Sequence, residues 1–116
     1  MLFVQYPKCS TCKKAKKWLD EHNFEYDSKH IVEDNPSAEE LREWWTISDL
    51  PLKRFFNTSG MKYRELKLKD KLPDMSEDEQ LDLLATDGML VKRPILINDD
   101  VVLVGFKVKE WEENLL

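Results

Sequence analysis

Tyr6-Pro7-Lys8-Cys9-Ser10-Thr11-Cys12-Lys13-Lys14-Ala15 sets two cysteines at the point where a strand gives way to a helix. Before it, Leu2 to Tyr6 is a short run of β-formers ended by Pro7, which predicts a first strand. After it, from Thr11 onward, Ala15, Trp18, Leu19 and His22 recur at helical spacing, with lysines on the other face. The helix is therefore expected to enter at Cys9-Ser10 and to hold Cys12 in its first turn. The first N–H groups of a helix lack intrahelical partners, and that end carries a partial positive charge, so an anion is stabilised there. A free thiol of pKa about 8.5 is only about 3% thiolate at pH 7, whereas one lowered to about 6 is roughly 90% thiolate. Lys8 and Lys13 flank Cys9 and are expected to add to the effect. Cys12, one turn further in, should stay protonated longer. Cys9 is the expected nucleophile and Cys12 the thiol that resolves it.

Competing uses of two cysteines are weaker. A disulfide scaffold needs more of them. A structural zinc site takes four ligands, and only His22 and His30 remain, neither beside a second close ligand, so no metal is expected. An inert buried pair would not need the strand-to-helix junction. The lysines at Lys8, Lys13, Lys14, Lys16 and Lys17 surround the pair, while those between Lys62 and Lys71 read as a solvated face.

Downstream, Phe24 to Ile31 reads as a second strand. Ser37 and Glu40 stand at capping-box spacing before a helix that puts Ala38, Leu41 and Trp45 on one face, with Trp44 beside them. Leu52 to Phe56 reads as a short helix after Pro51, and Asn57-Thr58-Ser59-Gly60 as a turn. Ser76 and Glu79 form a second capping box before a helix with apolar Leu81, Leu83 and Leu84, for which Gly88 fits a stop. Ile95 to Ile97 and Val101 to Val104 flank Asn98-Asp99-Asp100 as a hairpin, and Lys107 to Leu115 closes the chain as a helix. The order is strand, cysteine helix, strand, helical segment, hairpin, helix, which makes an α/β domain with one mixed sheet.

Composition bounds the rest. A chain of 116 residues suits one domain spanning 1–116, and a 41% hydrophobic, 35% charged balance is that of an ordinary globular protein. No apolar run approaches the roughly 20 residues of a membrane span. Pro7 follows Met1 too soon for a signal-peptide core, so a cytoplasmic protein is expected. The net charge of −5 argues against nucleic acid as the main partner.

Four segments in order carry a resemblance along nearly the whole chain. They are Tyr6 to Ala15, Phe55-Phe56-Asn57-Thr58-Ser59-Gly60-Met61-Lys62-Tyr63-Arg64-Glu65-Leu66, Lys92-Arg93-Pro94-Ile95-Leu96, and Val104-Gly105-Phe106-Lys107. Together they resemble the arsenate reductase (ArsC)/Spx-like family of thioredoxin-fold proteins. The resemblance implies a glutaredoxin-like sheet with a helical insertion, at about 36–90, between the second strand and the hairpin. It implies that Pro94 is a cis-proline facing the cysteines, and that Thr11, Asn57 and Arg93 form the anion- or substrate-binding set around Cys9. Arg93 has a rival reading as an ordinary surface ion pair. Glutaredoxin-coupled arsenate reductases use three arginines. Here Arg93 matches one, Asn57 takes the place of the second, and Phe106-Lys107 that of the third. A monomer with no bound cofactor is expected. Its substrate would be a small oxyanion or disulfide, recycled by glutathione, glutaredoxin or thioredoxin. The alternative within the family is a redox-sensing regulator that binds RNA polymerase.

Overall fold

The computed structural model describes residues 1–116. In chain order the elements are β1 (Leu2–Gln5), α1 (Ser10–Glu21), β2 (Asp27–His30), α2 (Ala38–Ser48), α3 (Met61–Glu65), α4 (Leu68–Lys71), α5 (Glu77–Thr86), β3 (Ile95–Asn98), β4 (Val101–Val104) and α6 (Val108–Leu115). Single 3-10 turns occupy Leu52–Phe55, Leu72–Asp74 and Gly88–Leu90. The strands form one mixed sheet in the order β2-β1-β3-β4. β1 and β2 run parallel, joined by the α1 crossover that such pairing requires, and the other pairs are antiparallel. This is the expected thioredoxin-like α/β sheet, with helices between β2 and the β3–β4 hairpin.

Strand alternation divides the core into two layers. Phe3, Leu96 and Leu103 pack with Ala15, Trp18 and Leu19 of α1 and with Trp111 of α6. Their neighbours Val4, Ile95, Val102 and Val104 face the opposite way, onto Leu41 and Trp44 of α2, Leu81 and Leu84 of α5, and Phe55, Phe56 and Tyr63. A period of two thus places α1 and α6 on one face of the sheet and the helical insertion on the other. Trp111 is fully buried and satisfies its indole N–H by donating to the Gly105 carbonyl at 3.1 Å.

The structure departs from the expected elements at several points. The second strand is only Asp27–His30, because the residues before it pack as side chains beside Trp18 and Phe3 rather than in the ladder. On α2 the tryptophan that enters the core is Trp44, not Trp45. Trp45 stays half-buried and donates its indole N–H to the Leu50 carbonyl at 2.7 Å. Leu83 is likewise half-buried while Leu81 and Leu84 are buried. Gly88 is not a helix stop. α5 ends at Thr86, Asp87 caps the following turn through Met89 N–H, and a Cβ on Gly88 would lie 1.9 Å from the Ile31 carbonyl oxygen. Close backbone approach, not a left-handed turn, selects that glycine. The lysines between Lys62 and Lys71 are exposed, as a solvated face requires, while the short helices α3 and α4 that carry them send Tyr63 and Leu68 into the core.

Candidate functional site

Cys9 is the N-cap of α1, in extended backbone conformation, with its N–H donating to the Tyr6 carbonyl at 2.9 Å and its carbonyl accepting from Lys13 N–H at 3.0 Å. The end of β1 therefore clamps the entry to the helix. Cys9 is half-buried and Cys12 fully buried, and both thiols are free. The Cys12 sulfur accepts the Tyr6 backbone N–H at 3.5 Å.

The two thiols are pushed in opposite directions. Partial burial alone would raise the Cys9 pKa. The Cys12 N–H, the Cys12 thiol, the Thr11 N–H and the Arg93 charge outweigh it, and the net displacement is downward. No closed capping hydrogen bond reaches the Cys9 side chain, so the helix end acts as a field and a set of nearby donors. Cys12 is pushed up to about 12, mainly by burial and further by the negative charge of Cys9, against the Tyr6 N–H and Arg93. The lysines expected to assist take no part. Lys8 and Lys13 are exposed, and Lys13 borders a shallow hollow with Lys16 and Asp20 on the outer face of α1. The cation that matters is Arg93, from a segment more than eighty positions downstream.

Arg93 is held from three sides. Its guanidinium donates to the Met89 and Val91 carbonyls at 3.1 and 3.4 Å and lies 5.4 Å from the centre of the Tyr6 ring. It forms no ion pair, which removes the surface-salt-bridge reading. The Arg93-Pro94 bond is cis, and Pro94 is buried, its carbonyl accepting from Gly105 N–H at 2.8 Å. Asn57 arrives from the insertion. Its N–H donates to the Leu90 carbonyl at 2.8 Å, and Lys92 N–H donates to the Phe55 carbonyl at 2.8 Å, so residues 55–57 are laced to 90–92. These bonds bring Cys9, Thr11, Asn57 and Arg93 to one cleft of about 600 Å³.

The cleft also contains residues that the sequence reading did not single out: Met61, Lys62, Glu65, Met89 and Lys92. Only their inclusion in, or nearness to, the quoted segments marked them beforehand. The segment that the resemblance puts at the third arginine position does not line the cleft. Phe106 turns into the aromatic layer against Trp18 and Trp111, and Lys107 is the exposed N-cap of α6. Neither histidine approaches the thiols as a ligand. The His22 ring lies tilted against Trp18, and the ring of His30 accepts from the Val32 and Glu33 N–H groups while meeting Tyr6 edge-on.

A family model described as the ArsC family matches residues 4–114. The chain belongs to the ArsC family. Among curated relatives of this ArsC-family chain, YusI of Bacillus subtilis (strain 168) is 60% identical over 114 residues, covering 98% of this chain and 97% of its own. The regulatory protein MgsR of the same organism is 28% identical, covering 95% and 86%. Among solved structures, an ArsC-family-related protein from Bacteroides fragilis is 62% identical with a TM-score of 0.93, covering 97% of this chain and 94% of that one. A protein from Streptococcus mutans UA159 described as a possible arsenate reductase is 46% identical with a TM-score of 0.87, covering 96% of both chains. The ArsC family thus joins reductase-like and regulator-like relatives on one thiol-redox fold. No helix of this member is long and apolar enough to cross a membrane.

Proposed function

We propose that this chain is a thiol–disulfide oxidoreductase in which Cys9 attacks and Cys12 resolves. The observation that carries the reading is the split of the two thiols, one lowered at a cleft mouth and one buried and raised one helical turn away. The Cys9 thiolate attacks a sulfur of the substrate disulfide, forming a mixed disulfide and releasing the other half as a thiol after protonation. Cys12 then gives up its proton and attacks the Cys9 sulfur. This step releases the second substrate thiol and leaves a Cys9–Cys12 disulfide, two electrons having passed to the substrate. As the Cys9 charge is consumed in the mixed disulfide, one cause of the high Cys12 pKa disappears at the step where Cys12 must ionise. An external thiol reductant (glutathione, glutaredoxin or thioredoxin) returns the pair to the dithiol. The protein acts as a cytoplasmic monomer without a bound cofactor.

An oxyanion is the less favoured substrate. Arg93 is the one arginine at the cleft, with Asn57 where the family's second arginine falls and the third position turned away. Each buried charge-assisted hydrogen bond contributes roughly 1.5–3 kcal/mol, so two missing arginines weaken anion stabilisation by orders of magnitude unless Lys62 and Lys92 substitute. The deciding experiment incubates the reduced protein separately with arsenate, oxidised glutathione and a protein disulfide, and follows Cys9 by mass spectrometry. Disulfides should drive Cys9–Cys12 formation while arsenate leaves the dithiol almost unchanged. An arsenate kcat/KM above about 10⁴ M⁻¹s⁻¹, inside the ordinary enzyme range, would reverse that order.

A redox-sensing regulator is the second reading, favoured by the likeness to MgsR over 95% of the chain. The same Cys9–Cys12 chemistry would then switch a binding surface rather than turn over. Sustained catalytic cycles with a supplied reductant separate the enzyme from the switch.

A further inference from the structure

Lys53, Arg54, Lys62, Lys92 and Arg93 line two adjoining hollows of a molecule whose net charge is −5. Lys62, Lys92 and Arg93 line the cleft beside Cys9, where Glu65 is the single acid. Lys92 also borders a second hollow of about 360 Å³, shared with Lys53, Arg54 and Thr58, that has no acidic side chain. The two hollows meet at Lys92. None of these cations makes an ion pair. Lys53 and Arg54 border hollows holding Glu77 and the pair Asp100 and Glu110, and still close no bridge.

The backbone enforces this display. In the turn Leu52–Phe55, Leu52 and Phe55 are buried, which leaves Lys53 and Arg54 no inward option and holds them out to solvent. The Lys92 N–H bond to the Phe55 carbonyl then ties Lys92 to the same turn. Like charges held together without counter-charges repel one another, and a charged hollow focuses its field on an approaching anion. The combined size decides what kind of anion. A cleft of about 600 Å³ already takes a ligand of many atoms. The second hollow adjoins it at Lys92, and the two together have room for a stretch of chain.

We propose that Lys53, Arg54 and Lys92 form a docking groove for an acidic polypeptide segment lying beside the cysteine of a protein disulfide that Cys9 attacks. The proposal rests on the thiol–disulfide reading and names its partner as a protein with acidic residues flanking its reactive cysteine. The segment lies along the groove with its carboxylates on the three cations, and its disulfide sulfur enters the cleft next to Arg93. Attack by Cys9 gives the mixed disulfide and frees the leaving thiol. Cys12 then releases the segment's own cysteine as a thiol. The reduced partner leaves, and the Cys9–Cys12 disulfide awaits an external dithiol.

The test uses three peptides of equal length, each with one cysteine as a mixed disulfide with 2-thiopyridine. The flanking residues are glutamate, glutamine or lysine, and release of pyridine-2-thione by the reduced protein reports the attack. In low salt the acidic peptide should react about tenfold faster than the neutral one, at the lower end of electrostatic steering, and the basic peptide more slowly still. About 1 M salt, where the Debye length is about 3 Å, should remove the preference. Lys53→Gln combined with Arg54→Gln should cut the acidic preference to about two- or threefold and leave the neutral rate unchanged. Equal rates for acidic and neutral peptides in low salt overturn the groove while leaving thiol exchange intact. So does a double variant that keeps the full preference, or one that slows all three peptides alike. Failure of every peptide to react overturns the thiol-exchange reading itself, and the groove with it.

Discussion

Cys9 and Cys12 differ by a single helical turn, yet one is reached by the Thr11 and Cys12 N–H groups and the other is enclosed by the core. Alkylation by iodoacetamide should therefore modify Cys9 well before Cys12 as pH rises, with peptide mapping as the readout. Equal rates for both thiols at every pH would remove the nucleophile assignment. Arg93→Ala should move the Cys9 titration upward, because the guanidinium charge is one of the causes holding it down. Arg93→Lys should restore that effect only in part. A lysine ammonium lacks the planar guanidinium face that lies over Tyr6 while one of its nitrogens, Nη1, donates to both the Met89 and Val91 carbonyls. Gly88→Ala tests close approach in the same way. Its methyl would press on the Ile31 carbonyl, and thermal or denaturant unfolding should report a loss of roughly 3 kcal/mol. At this scale the thiols, Asn57 and Arg93 were legible as residues, whereas the source of the charge beside Cys9 was not. Sequence adjacency pointed to Lys8 and Lys13. The fold supplies Arg93 instead.

The elements that could be read in advance are those with local reasons to exist. Ser37 and Ser76 each complete a capping box, the hydroxyl accepting from N–H three residues on and the glutamate returning to the serine N–H. Ser37→Ala and Ser76→Ala should each destabilise the fold by about 1 kcal/mol, measured by urea unfolding, with the Cys9 alkylation rate untouched because α2 and α5 bear no cleft residue. A change in Cys9 reactivity in either variant would show that the insertion helices tune the thiol. α3 and α4 lack such signals, being four or five residues long, too short to form without tertiary support. They persist because Tyr63 packs edge-on against Phe56 and because Leu68 and Leu72 are buried. The second strand was overextended for the opposite reason. Phe24 and Tyr26 have strand propensity but are used as packing residues on Trp18 and Phe3.

The cleft exists only in the assembled molecule, because Cys9, Asn57 and Arg93 come from the start of α1, the insertion and the approach to β3. No local pattern announces that meeting; the order of the four family-like segments was its one trace in the sequence. Assembly also couples the two thiols to stability. Between its native pKa and the ordinary value of 9.0, Cys9 has lost its proton in the folded state while the unfolded chain still holds it. The unfolded state then binds more protons, so stability rises with pH over that window and levels off above 9.0. Cys12 acts in the opposite sense. From 9.0 to about 12 the folded state keeps a proton that the unfolded chain has released, so stability falls with pH across that range. The full Cys12 displacement, from 9.0 to about 12, corresponds to about 4 kcal/mol as an upper figure. The unfolding free energy of the reduced protein, less that of a Cys9→Ser, Cys12→Ala variant, should therefore climb towards pH 9 and decline beyond it. Taking the difference removes contributions common to both proteins. A difference that is flat below pH 9 would deny the lowered Cys9. One that keeps rising through pH 11 would deny the raised Cys12, and with it the division of labour between attacking and resolving thiols.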